Sequence, residues 1–133
     1  MKWTEKFPEF GDMIRVKVKF YYHYGIFVDE TRIIQFGMPD NGNTPPDEIA
    51  VLQTDILTFS GGEMVECAEP EKNEKKMRYS PGEIVEKATA RLGETGYHIL
   101  NNNCEHFAYE CYLGEKRSFL DDVRKKIRKQ LNS

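Results

Sequence analysis

The chain predicts an α+β fold in which an antiparallel sheet packs against helices. Two observations carry this: period-two runs rich in β-branched and aromatic residues fill the first half of the chain, and capped runs of helical period fill the last third. A third bounds it: 133 residues are enough for one core that buries roughly two thirds of the unfolded surface, without help from disulfides.

From Asp12 to Phe20, Ile14, Val16, Val18 and Phe20 alternate with Arg15, Lys17 and Lys19, the pattern of a strand with one wet face near a sheet edge. Tyr22–Val28 and Arg32–Phe36 read as a hairpin around Asp29-Glu30-Thr31. The turn formers from Gly37 to Pro46 make a loop. Shorter strands are expected at Ile49–Leu52, Ile56–Phe59 and Met64–Cys67, then an exposed connection from Glu69 to Arg78. Ser80-Pro81-Gly82-Glu83 is a capping box with proline at the first helical position, and Ile84, Val85, Ala88 and Leu92 form the buried face before Gly93. Tyr97–Leu100 reads as an extended entry to a second helix that starts at Cys104 and stops at Gly114. A last helix from about Ser118 carries Leu120, Val123, Ile127 and Leu131 on one face.

Asn101-Asn102-Asn103 supplies N-cap side chains, so Cys104 falls in a first helical turn. Unpaired N–H groups and the positive end of the helix dipole converge there, an environment that lowers a thiol pKa from about 8.5 toward neutrality. Cys104, Phe107, Ala108 and Cys111 also form one apolar stripe, so a plain buried thiol satisfies the same spacing.

A cysteine nucleophile needs a base. His106 lies about 200° around the same helix from Cys104 and reads as structural. His98 reads as an ordinary strand position. His23 stands in a strand core, with Gly25 two residues on leaving room on its face; its alternative is the wet side of an edge strand. If Asp29, Glu30 and Thr31 form a three-residue turn, Gly25 pairs with Gln35, and Gln35 lies diagonal to His23 on one face. A two-residue loop sends Gln35 to the other face.

The blocks Gly11-Asp12-Met13-Ile14, His23-Tyr24-Gly25-Ile26-Phe27-Val28, Tyr79-Ser80-Pro81 and Asn103-Cys104-Glu105-His106-Phe107, with Gly114 and Arg117-Ser118 downstream, resemble the lecithin retinol acyltransferase-like proteins. That family includes small phospholipase A/acyltransferases. The resemblance implies a circularly permuted, papain-like NlpC-type fold, with one domain over 1–133, a core of about 11–123 and a basic amphipathic helix at about 118–131. By the same resemblance Cys104 matches the nucleophile and His23 the general base. The third polar residue, usually a second histidine, falls on Gln35, which can orient an imidazole by a hydrogen bond but brings no charge to stabilise its cation.

The implied chemistry is transfer or hydrolysis of an acyl ester or amide through a thioester on Cys104. A cell-wall peptide amidase or endopeptidase of the same superfamily and a non-catalytic binding module are the alternatives. No cofactor is expected, and no metal, because the Cys and His spacings match no zinc pattern. A formal charge of −3 argues against nucleic acid. Three cysteines without paired spacing and no signal-like or membrane-spanning apolar run lead to a cytoplasmic expectation. Seven Lys or Arg against two Asp between Lys116 and Gln130 allow peripheral contact with anionic lipid.

Overall fold

A computed structural model describes residues 1–39 and 44–132; the middle of the expected loop at Gly37–Pro46 lies outside the described residues. Six strands form one antiparallel sheet: β1 (Lys2–Glu5), β2 (Met13–Val18), β3 (Tyr21–Asp29), β4 (Arg32–Phe36), β5 (Val51–Thr54) and β6 (Glu66–Glu69), in the spatial order β1-β6-β2-β3-β4-β5. Among the described residues five α-helices accompany it: α1 (Ile56–Ser60), α2 (Lys72–Met77), α3 (Pro81–Ala90), α4 (Cys104–Leu113) and α5 (Phe119–Leu131).

The alternation along β3 divides the core between the two faces of the sheet. Tyr24, Ile26 and Val28 pack with Ile34 and Phe36 against α3 and α4, through residues such as Ile84 and Phe107. Phe27 and Ile33 face the other way, toward Ile14, Val16 and Phe59 of α1.

Several expectations change. The strand at Met13–Val18 is interior, flanked by β3 and β6, and not at an edge. Its wet face is also partly dry, because Arg15 is sandwiched between the Trp3 and Tyr22 rings, 4.2 and 3.9 Å from their centroids, and bonds Glu66 at 2.7 Å. Ile56–Ser60 is a helix: Asp55 accepts from the Thr58 N–H at 2.7 Å, and Gly61 closes the turn in the left-handed region at φ 63°. Local caps win there over a short apolar run that suits either state. The expected connection at Glu69–Arg78 contains α2, started by a reciprocal cap between Glu71 and Glu74. Glu74 is buried and paired with Arg117, which ties α2 to the segment after α4. Tyr97–Leu100 is a turn with one bridge, His98 to Asn102.

The helix at Cys104 begins and ends as its caps imply; the one at Pro81 begins at its cap but ends at Ala90, with Arg91 as C-cap, short of the expected stop at Gly93, and leaves Leu92 exposed on the turn that follows. Ser80 and Glu83 cap each other, and Gly114 takes φ 78° after α4. The last helix forms, but Ile127 and Leu131 are 51 % and 80 % exposed, so its lower apolar stripe does not pack on the body.

Candidate active site

The β3–β4 hairpin brings His23 and Gln35 together. Its turn has two residues, Glu30 and Thr31, since Asp29 pairs with Arg32. That loop alone would set Gln35 on the wrong face. A bulge between Phe27 and Asp29 takes up Val28, and the body of the hairpin runs as Phe27 with Ile33 and Ile26 with Ile34. Extended one step, this is the register that aligns Gly25 with Gln35. Close approach of the strands here requires a residue without a side chain: a Cβ on Gly25 would lie 2.8 Å from Phe59 and 2.9 Å from Ile33.

His23 Nε2 and Gln35 Oε1 are 2.6 Å apart, both residues being essentially inaccessible to solvent. An amide oxygen only accepts, so the imidazole donates from Nε2, and in the neutral ring Nδ1 is left as the basic nitrogen. Burial pushes His23 down to about 4, against a smaller opposing effect of the Gln35 hydrogen bond. The ring also packs against Phe59, with centroids 5.2 Å apart.

Cys104 approaches from α4. Asn103 accepts from the His106 N–H at 3.0 Å, and His106 Nδ1 accepts from the Asn103 N–H at 3.1 Å. His106 is thus a structural cap, as its position on the helix indicates. The thiol meets the backbone N–H groups of Tyr24, Glu105 and Cys104 itself. Tyr24 was not anticipated, because sequence gives no signal for a backbone donor. Its direction follows from the sheet: the Phe27 N–H bonds Asp12 O on the β2 side at 2.9 Å, so the alternate N–H of Tyr24 points toward β4. There β4 no longer pairs with β3, whose ladder to β4 runs from Ile26 to Asp29. The sulfur therefore sits where the two strands part, one residue along β3 from His23.

The thiol is not poised as a thiolate. Burial pushes Cys104 up to about 11, and the three N–H groups, which act the other way, are outweighed. The lowered pKa expected at a helix start is overturned by desolvation. Burial thus favours the neutral form of both the Cys104 thiol and the His23 imidazole.

The other candidates serve local structure. His98 Nδ1 accepts from the N–H groups of Leu100 and Asn101, both at 3.2 Å, and shapes the turn before α4. Cys67 and Cys111 are buried, and burial pushes each up to about 12. Among the described residues no cluster of three or more His, Cys, Asp or Glu is arranged to hold a metal. Arg15, read from sequence as a wet-face residue, hydrogen-bonds Tyr24 and so braces the strand beside the thiol.

The family model for lecithin retinol acyltransferase matches residues 6–117. The chain is 28 % identical to lecithin retinol acyltransferase of Mus musculus over 149 residues, covering 92 % of this chain and 64 % of that protein. It is 27 % identical to the Bos taurus lecithin retinol acyltransferase over 146 residues, covering 90 % and 63 %. It is 28 % identical to phospholipase A and acyltransferase 3 of Homo sapiens over 126 residues, covering 88 % and 76 %. The chain thus spans a little under two thirds of the length of the first two relatives.

Proposed function

The chain belongs to the lecithin retinol acyltransferase family, and from that premise we propose that it is a thiol acyltransferase or acyl hydrolase in which Cys104 is the nucleophile, His23 the general base and Gln35 the residue that orients His23. The observations that support this are the buried His23–Gln35 hydrogen bond and the backbone N–H of Tyr24, the next residue along β3, against the Cys104 thiol at the start of α4.

His23 Nδ1 takes the Cys104 proton as the sulfur attacks the acyl carbon, so charge separation accompanies attack and is not stored beforehand. The N–H groups at the start of α4 receive the carbonyl oxygen as it becomes an oxyanion. The imidazolium returns its proton to the leaving alcohol or amine as the bond to it breaks, leaving a thioester on Cys104. His23 then deprotonates the acceptor, which attacks the thioester and releases the thiol. Water as acceptor gives hydrolysis; an alcohol or amine gives transfer. The relatives named as acyltransferases and phospholipase support an acyl ester, with lipid among the donors.

Intact-mass measurement after exposure to a mixed ester and thioester library tests this. The expected result is an acyl-sized increment on the wild type that is absent from Cys104→Ala. No increment from any donor overturns the catalytic reading and favours a binding module.

The face of α5 supports a peripheral contact with anionic lipid. Exposed Ile127 and Leu131 are flanked by basic residues, and Lys116, Arg124, Lys125 and Arg128 line one open recess. No helix among the described residues is long and apolar enough to cross a membrane.

A further inference from the structure

Gln35 presents a problem of orientation. A primary amide has an accepting end and a donating end of nearly the same shape, and only one orientation gives His23 its Nε2–H form. Reversed, the amide would donate to Nε2, the ring proton would move to Nδ1, and the imidazole would lose its free basic nitrogen on the side away from Gln35. His23 and Gln35 are both buried, so a missing partner at this bond is costly. The orientation must be set by whatever meets the other end of the amide.

That end meets Met38. Gln35 Nε2 donates to the Met38 sulfur at 3.4 Å. A thioether accepts and never donates, so it discriminates between the two orientations although the bond itself is weak. The left-handed Gly37, at φ 81°, turns the chain so that Met38 comes back onto the residue three positions before it. We propose that Met38 is a positioning residue: its sulfur holds the Gln35 amide with the oxygen toward His23, and through that amide sets the His23 tautomer that leaves Nδ1 as the base.

This rests on the reading that His23 serves Cys104, but its decisive readout does not depend on turnover. Long-range proton–nitrogen NMR of His23 at pH 7 identifies the tautomer directly. The wild type is expected to show Nε2–H. Met38→Leu keeps the bulk and removes the acceptor, Met38→Lys offers only donors, and Met38→Glu offers only acceptors. The first two are expected to raise the Nδ1–H form, and Met38→Glu to retain Nε2–H. If turnover is present, kcat should fall in proportion to the fraction of His23 left in the Nε2–H form, with KM unchanged. Should Met38→Leu fail to fold, the Glu and Lys variants make the same comparison. An unchanged tautomer in the Leu and Lys variants overturns the proposal. So does an equal shift in all three, which would make Met38 a packing residue. Failure of the catalytic reading appears separately, as no acyl increment on Cys104 while the tautomer still responds to position 38.

Discussion

His23 and Gln35 hydrogen-bond at 2.6 Å across β3 and β4 because a bulge at Val28 reverses the face that a two-residue turn would have given Gln35. The contact is fixed by the covalent length of the hairpin as much as by the two side chains. Deleting Val28 removes the extra residue but leaves Phe27 opposite Ile33, so the ladder becomes regular and Gln35 stays in line with Gly25. The deletion is therefore expected to keep acylation of Cys104, whereas one residue inserted between Ile34 and Gln35 sets Gln35 opposite Tyr24, on the other face, and is expected to abolish it. Equal acylation of the two variants would show that the register does not govern the site.

Gln35→Ala leaves the His23 Nε2–H without its partner in a buried site and opens a cavity. A buried donor left unsatisfied costs about 1–3 kcal/mol. The urea midpoint should fall accordingly, and acyl transfer should slow more than it does in Gln35→His, which restores a ring that bonds the same nitrogen. Equal midpoints for wild type and Gln35→Ala would mean the hydrogen bond contributes nothing net to stability.

The depressed pKa of His23 makes stability depend on acid in a definite direction. The unfolded chain takes up the proton near 6.5 and the folded chain near 4, so between these values the unfolded state binds more protons. Stability from this group is complete above pH 6.5 and is lost as pH falls toward 4, by about 3 kcal/mol in all at roughly 1.4 kcal/mol per pH unit. Urea titrations at pH 7, 5.5 and 4 should show this loss in the wild type and a shallower one in His23→Gln. Parallel pH profiles would place the acid sensitivity elsewhere.

Cys104 runs the other way along the pH axis. With the thiol pushed up to about 11, its alkylation by iodoacetamide should keep rising about tenfold per pH unit from pH 7 to 10, with no plateau. A plateau below pH 8, lost in His23→Ala, would reveal a preformed thiolate–imidazolium pair in place of the neutral forms that burial favours.

The caps explain which parts of the fold were legible in the sequence. Ser80-Pro81 marks the start of its helix, and Asn103 and Gly114 mark both ends of theirs, so the segment that positions Cys104 reads correctly. Ile56–Phe59 does not, because three apolar residues in four fit a strand or one helical turn and the deciding Asp55 and Gly61 lie just outside the run. The charged run after Glu69 hides a helix that a buried, paired Glu74 makes worthwhile, and pairing with Arg117 is invisible at a distance of 43 residues. At the site, His23, Gln35 and Cys104 are legible as residue types, and the odd register needed for Gln35 could be stated in advance. The bulge that supplies it, the Tyr24 N–H and the burial that keeps the thiol neutral are properties of the packed sheet, and no local pattern encodes them.

The last helix offers a test that is independent of the chemistry at Cys104. Its apolar residues Ile127 and Leu131 are exposed, and Lys125, Arg128 and Lys129 surround them, the arrangement of a helix that lies in a headgroup layer with its stripe toward the acyl chains. Each basic residue near an anionic surface contributes about 1 kcal/mol, and the attraction weakens as salt shortens the Debye length. Co-sedimentation with vesicles rich in phosphatidylserine should therefore exceed that with phosphatidylcholine alone and fall between 0.1 M and 0.5 M salt. Lys125→Glu with Arg128→Glu should weaken it by at least tenfold, and Ile127→Asp should weaken it without changing the salt slope. Neither variant touches the site, so the rate on a soluble acyl ester should stay at the wild-type value. Sedimentation that ignores lipid charge, salt and both substitutions would leave the stripe as ordinary exposed surface.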